Sequence, residues 1–403
     1  MSPLRSAAGL LWLGLLGLVA CAPEPASSGS LPHEAYVWQR QWTSELAATL
    51  QEARGDFAGW RVLALHSDRR GVLQPIAVDL AVLAAARRPI TAVLRLDGAD
   101  LAVDAAGAAA QLVDLVQRWR AAGVDLAGVE IDHDCATARL DGYADLLRSL
   151  RTRLPPGLRL SITALPAWLD APALDAVLAA SDEAVLQVHA VRSPAEGLFE
   201  AALAESWARA FAARSPHPWR LAVPAYGARI AFDDAGAPLA VESEAPHRLA
   251  AVRQEEVVVT PQAVADLLGR LRRKPPPGLA GVVWFRLPLP GDRRAWSLAT
   301  VRAVAAGAPL RASFSLRQTP APGGAVDLAV ENRGAVDAPP PGVRVIGTDC
   351  RAADALAGYR VSADGAGWHF ARVDASVLRA GRQRSIGWVQ CGHIDKVELD
   401  GNA

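Results

Sequence analysis

The chain has 403 residues, with 42 Lys+Arg against 42 Asp+Glu and a formal net charge of +0. That balance argues against a nucleic-acid binder, which needs a basic excess gathered on one face. At 51% hydrophobic and 21% charged the chain is globular, not disordered, and long enough for about two or three domains.

Arg5 precedes an apolar run from Leu10 to Ala20, too short to span a bilayer and shaped like the core of an export signal. The run closes on Leu18-Val19-Ala20-Cys21, which resembles a bacterial lipobox. The resemblance implies that residues 1–20 are a signal peptide and that Cys21 is lipidated. Ala22 stands where an Asp would retain a lipoprotein at the inner membrane, so the implied place is the periplasmic face of the outer membrane. Residues 21–33, rich in Pro, Ser, Gly and Ala, are expected to form a flexible tether. Export permits disulfides. Cys350 and Cys391, at the ends of two strand-like runs, are expected to pair, leaving Cys135 a buried thiol.

A regular alternation follows, placing a barrel over residues 34–308. Strand-like runs are Ala35–Gln39, Arg61–His66, Ile90–Asp97, Leu126–Asp132, Leu158–Ala164, Ala184–His189, Arg220–Ala225 and Gly281–Arg286. Helical stretches separate them at Thr43–Arg54, Ile76–Arg87, Ala106–Ala122, Arg139–Arg153, Ala171–Ala179, Pro194–Arg214 and Pro261–Arg273, and an eighth follows at Asp292–Ala305. Strand-helix alternation implies parallel strands with crossover helices. The fold class expected is α/β, a (β/α)8 TIM barrel. The long connection from Gly227 to Thr260, with a turn signal at Asp233-Asp234-Ala235-Gly236, predicts a β-hairpin over the barrel mouth.

Strand parity locates the chemistry. Successive side chains in a strand face opposite ways. In Gly128-Val129-Glu130-Ile131-Asp132-His133-Asp134, Val129 and Ile131 share one face while Glu130, Asp132 and Asp134 share the other. Carboxylates facing an apolar layer would be prohibitively desolvated, so all three are expected to point toward the mouth. Arg95 and Asp97, Ser161 and Thr163, and Gln187 and His189 form like-parity polar pairs. His66 ends its run with parity opposite to Leu63 and Leu65. Polar residues thus gather at C-terminal strand ends, where barrel enzymes build their sites.

Beyond the barrel, residues 309–403 alternate in short runs at Ser313–Leu316, Ala325–Glu331, Gly342–Gly347, Gly367–Val373 and Ser385–Gln390. Gly, Pro and Asn turns between them predict a small β-sandwich, read as a structural or binding appendage.

The fourth strand resembles the D-G-x-D-x-D-x-E motif of glycoside hydrolase family 18, the chitinase family. Glu130 takes the place of the first Asp of its core, Asp132 the middle Asp, and Asp134 the catalytic acid, an Asp where that family has Glu. Leu221-Ala222-Val223-Pro224-Ala225-Tyr226-Gly227 is similar to the family's G-x-P-x-Y-G, and Gly281-Val282-Val283-Trp284 to its G-x-x-x-W, where Trp floors a sugar subsite. The family's sixth-strand M-x-Y is replaced by Gln187 and His189. Over nearly the whole mature chain the sequence resembles a bacterial family known as domain of unknown function 3142. That resemblance lies in Tyr36-Val37-Trp38-Gln39-Arg40-Gln41-Trp42, Ile131-Asp132-His133-Asp134-Cys135, Leu160–Leu169 and Ile386-Gly387-Trp388-Val389-Gln390-Cys391. It implies a glycosidase-like barrel without an activity.

Glycoside hydrolysis needs a proton donor and a second group that stabilises or attacks the anomeric carbon. Asp134, nearest the mouth, is the expected donor; Asp132 would hold the proton balance or orient a substrate amide, and Glu130 completes the acidic set. Tyr226, Trp284, Trp38, Arg95, Asp97, Gln187 and His189 are the expected substrate-binding residues. Other readings stay open. The acids could form a buried salt-bridge network with Arg95 or Arg286. His66, Asp132, Asp134 and His189 could converge on a metal, as in metal-dependent barrel hydrolases. The barrel could bind a glycan without cleaving it. No Gly-x-Ser-x-Gly elbow is present. The expected partner is a glycan, with no cofactor, no resident metal, no nucleic acid, and membrane contact through the lipid anchor alone.

Overall fold

The structure is a computed structural model; it describes residues 31–68, 70–98, 103–190, 196–233, 238–242, 253–374 and 376–400. The signal peptide and Cys21 lie outside the described residues. So do most of the tether, residues 234–236 of the turn signal and the first two residues of the expected sixth helix.

Eight parallel strands close into a barrel: β1 His33–Val37, β2 Gly59–Ser67, β3 Ile90–Leu96, β4 Leu126–His133, β5 Arg159–Ala164, β6 Glu183–Gln187, β7 Trp219–Pro224 and β8 Leu279–Phe285. Each pairs with its sequence neighbours, and β1 pairs with both β2 and β8 to complete the ring. The helices are α1 Ser44–Ala53, α2 Leu80–Ala86, α3 Ala105–Ala121, α4 Leu140–Arg151, α5 Leu174–Ala179, α6 Ala201–Ala212, α7 Pro261–Arg273 and α8 Leu298–Ala306. Caps decide where several begin. Asp79 accepts from the Val82 amide, so α2 starts four residues after the expected Ile76. Ser297 accepts from the Thr300 amide and delays α8 from the expected Asp292 in the same way. No helix of the described residues is long and apolar enough to cross a membrane.

The main core lies between strands and helices, where Val129 and Ile131 of β4 and Val282 and Trp284 of β8 are buried. A small separate cluster, Tyr36, Val93, Val185, Ala222 and Val283, forms one apolar layer inside the barrel. Between Leu63 and Leu65 the register of β2 against β3 shifts, which returns His66 to the side of Arg95.

The connection after β7 forms a three-stranded antiparallel sheet, not the expected hairpin alone. Gly227–Phe232 is its centre, flanked by Pro238–Glu242 and Arg253–Val258. After α8 come two four-stranded antiparallel sheets around Leu328, Val330, Val343, Val345, Phe370, Ile386 and Val389. Cys350 and Cys391 form a disulfide in this region. Three strands here lay outside the expected runs: Ala352–Ala355, Tyr359–Ala363 and His393–Leu399.

Candidate active site

The barrel interior is built in layers, and the deepest is ionic. Arg61, on β2, is buried and paired with Glu34, Glu130 and Glu183. Arg220 bridges Glu34 at 3.2 Å and Glu183 at 3.1 Å. Gly281 makes room for it: a Cβ there would lie 2.5 Å from Arg220 Nη1. Tyr36 donates to Glu130 at 2.7 Å, and Ser161 donates to the same carboxylate at 3.1 Å. Burial pushes the Glu130 carboxyl upward against the pull of Arg61, whereas Arg61 and Arg220 overcome burial and lower Glu183.

Glu130 therefore does not open to the mouth. It is 0% exposed and belongs to this ion network. Strand parity places a carboxylate on the barrel axis but does not say what groups it meets there. The axis carries guanidinium groups that compensate it.

One turn of parity higher the site opens. A cleft of about 390 Å³ is lined by Trp38, Arg40, Arg95, Asp97, Asp132, Asp134, Gln187, His189, Ala190, Tyr226 and Phe285. That volume falls in the range of small-molecule sites. Arg95 organises its floor. Its Nη1 donates to Asp132 at 3.0 Å, its Nη2 to Asp134 at 2.6 Å, and its Nε to Asp97 at 3.3 Å. Asp97 also meets His66 Nε2 at 2.8 Å. Thr163, on β5, donates to Asp132 at 2.8 Å.

Asp132 is 4% exposed. Burial raises its pKa, Arg95 opposes the rise and the Asp134 charge adds to it, leaving the carboxyl above its ordinary range. Burial opposes the lowering of Asp97, but His66 and Arg95 outweigh it. His189 is 3% exposed and touches the Tyr226 hydroxyl through Nδ1 at 3.3 Å. Burial lowers its pKa to about 3, so the imidazole is neutral at ordinary pH. Gln187 donates to the His189 carbonyl at 3.1 Å, which spends its amide on the loop that follows β6.

Asp132, Asp134, Trp38, Arg95, Asp97, Gln187, His189 and Tyr226 thus share one cleft. Trp284 does not. It is 0% exposed, stacks on His33 and donates to His33 Nδ1 at 2.9 Å. Its parity is that of Val282, toward the helices, and its neighbour Phe285 faces the cleft instead. The salt-bridge reading holds in part, since Arg95 binds both Asp132 and Asp134, while Arg286 donates to Asp292 at 3.2 Å. His66, Asp132, Asp134 and His189 do not make a metal set. Among the described residues no group of three or more His, Cys, Asp or Glu is arranged to hold an ion. Cys135 is a buried thiol.

Sequence reasoning missed Phe285, Arg40 and Arg61. Phe285 lies inside the expected run Gly281–Arg286 and has the parity of Val283, so the alternation along β8 already pointed to it. Arg40 lies past the end of β1, where no periodicity speaks.

A family model described as a domain of unknown function, DUF3142, matches residues 86–290. A second such model, DUF8456, matches residues 315–392. No curated protein matches the sequence. The solved structure of the Bacillus cereus spore cortex-lytic enzyme SleL is similar at 14% identity and TM-score 0.52, over 69% of this chain and 74% of that one. SleL of Bacillus megaterium QM B1551 is similar at 10% identity and TM-score 0.50, over 68% and 73%. A chitinase from Chromobacterium violaceum stands at 15% identity and TM-score 0.49, over 69% and 98%. At such identities the likeness to the two SleL structures shows a shared fold and nothing of chemistry.

Proposed function

The chain belongs to the DUF3142 family, and on that premise we propose that it acts on a glycan as a glycoside hydrolase, with Asp134 the general acid and Asp132 its proton-sharing partner. One observation carries this reading. Two carboxylates sit on a single guanidinium in a cleft that Trp38, Tyr226 and Phe285 also line. Hydrolysis needs a proton donor at the leaving oxygen, and a pair of carboxylates sharing a proton supplies that role. The aromatic side chains offer apolar faces to a sugar ring, with polar groups between them to fix its orientation.

A second reading, binding without cleavage, draws on Arg95, which occupies an oxygen of each acid. A glycan screen with paired binding and hydrolysis measurements separates the two. Hydrolysis predicts that Asp134→Asn lowers turnover by about 10²–10⁴-fold at nearly constant affinity. Turnover at the wild-type rate would remove Asp134 as the acid. Several glycans bound and none cleaved would select the binding reading.

We also propose that the protein is a lipoprotein of the cell envelope, tethered through Cys21, from Leu18-Val19-Ala20-Cys21 and the Pro/Ser-rich stretch that follows. Mass spectrometry of the mature N-terminus should find a diacylglyceryl cysteine. An unmodified start at Ala22 or later would exclude it.

A further inference from the structure

Arg95 spends three of its donors on three different carboxylates. Nη1 goes to Asp132, Nη2 to Asp134 and Nε to Asp97. Its planar fork cannot turn toward one acid without moving against the others. Asp97 is held from the far side by His66 Nε2 and by its own backbone amide, which donates to the Ser67 hydroxyl at 3.1 Å. The guanidinium is therefore braced from β2 through Asp97, and it in turn aligns Asp132 of β4 and Asp134 just past its end. Asp134 uses only Oδ2 in this arrangement. Its Oδ1 is buried and has no hydrogen-bond partner among the described residues.

We propose that Arg95 is a positioning residue: it fixes Asp132 and Asp134 against each other and sets how readily the pair holds a proton. This rests on reading Asp132 and Asp134 as the working acids, and it concerns their control rather than the reaction they perform.

The control is electrostatic and has a sign. The guanidinium favours the charged form of Asp132, so it holds down a proton affinity that burial and the neighbouring Asp134 charge raise. Asp97 acts in the other sense, because its negative charge offsets part of Arg95. The surrounding groups are these: His66 on β2 facing Asp97, Glu130 and Tyr36 below Asp132, Tyr143 of α4 and His133 behind it, and His189 of the β6 loop beside Asp134. His189 stays neutral over the working range, so Arg95 is the cation that binds the pair directly.

The test is a pH titration of the mature chain labelled with ¹³C at the aspartate side-chain carboxyls, read by NMR. Asp132→Asn and Asp134→Asn assign the two signals. Arg95→Gln should raise the apparent titration points of the pair by about 1–3 pH units, with Arg95→Lys recovering part of the difference. Asp97→Asn, which touches neither acid, should move the pair the opposite way by a smaller amount. A merely structural role for Arg95 predicts no such reversal. Circular dichroism checks that each variant is folded. If Arg95→Gln fails to fold, Arg95→Lys and Asp97→Asn still decide by the opposite signs of their effects. A pair that titrates as in the wild type in folded Arg95 and Asp97 variants would overturn the proposal. The readout does not need turnover. Shifted titrations without glycan cleavage would retain Arg95's role and remove the hydrolase reading; cleavage with unshifted titrations would do the reverse.

Discussion

Trp284 and Phe285 are neighbours in the chain and end on opposite sides of β8. Trp284 stacks on His33 and packs with Trp296 under the helices, while Phe285 sits against Tyr36, Trp38, His189 and Tyr226. Trp284→Ala should therefore cost about 3–5 kcal/mol in a urea unfolding curve and leave glycan affinity of the folded fraction unchanged. Phe285→Ala should weaken glycan binding about tenfold, a loss near 1.4 kcal/mol. The opposite pattern would show that the strand parity is misread. A second consequence lies in two imidazoles. Burial holds His189 near pKa 3, and burial with Arg272 nearby holds His33 near 4. The unfolded chain takes up protons below about pH 6.5 that the folded chain refuses, so stability is full above that pH and falls as pH drops toward 4. Each histidine should cost about 2 kcal/mol by pH 5. Urea midpoints from pH 7 to 4.5 should fall less steeply in His189→Gln, and parallel curves would contradict the assignment.

Along β4 and the residue just past it the alternation places Glu130, Asp132 and Asp134 on one face, and depth alone divides their roles. Glu130 reaches the ionic layer, while Asp132 and Asp134 reach the cleft. Removing one partner from a buried ion network strands the others, a larger loss than the network's net worth. Arg61→Met should accordingly cost about 3–5 kcal/mol, with part of the loss recovered at acidic pH as the stranded glutamates protonate. A cost below about 1 kcal/mol by denaturant titration would mean the layer is not held by charge. The layer was illegible in the sequence for a physical reason. Arg61 lies between Trp60 and Val62 on a strand whose fitting partners, Glu34, Glu130 and Glu183, come from three other strands. The sheet after β7 has the same cause: Arg253–Val258 pairs with Gly227–Phe232 across an insertion too long for a turn signal to register.

The described residues from Leu31 onward belong to one compact unit, so barrel and β-sandwich are joined by more than a linker. Asp337 is the main tie. Its carboxylate accepts from the Ser297 amide at 2.7 Å, the Ser297 hydroxyl at 2.6 Å and the Ala380 amide at 2.9 Å. Arg379 adds bonds to the carbonyls of Leu289 and Asp292. These contacts join the start of α8 to the sandwich, and the same Ser297 caps that helix. Asp337→Ala leaves three donors without their acceptor, a loss of about 1–3 kcal/mol for each that stays buried. Calorimetry should then show one transition in the wild type and a broadened or split one in the variant. An unchanged single peak would place the coupling elsewhere.

The period of strand and helix, and the parity of polar residues at strand ends, were readable from the sequence alone because both are local properties of the backbone. They determined the (β/α)8 barrel and brought Asp132, Asp134, Arg95, Asp97, Gln187 and His189 to one end of it. Three things waited on the tertiary structure: which acid sits deep, which aromatic of β8 faces the cleft, and which cation holds the acids. Each depends on distances between strands far apart in the chain. Parity says which face a side chain takes, but only the closed ring determines how far along the axis it stands and what charge lies opposite.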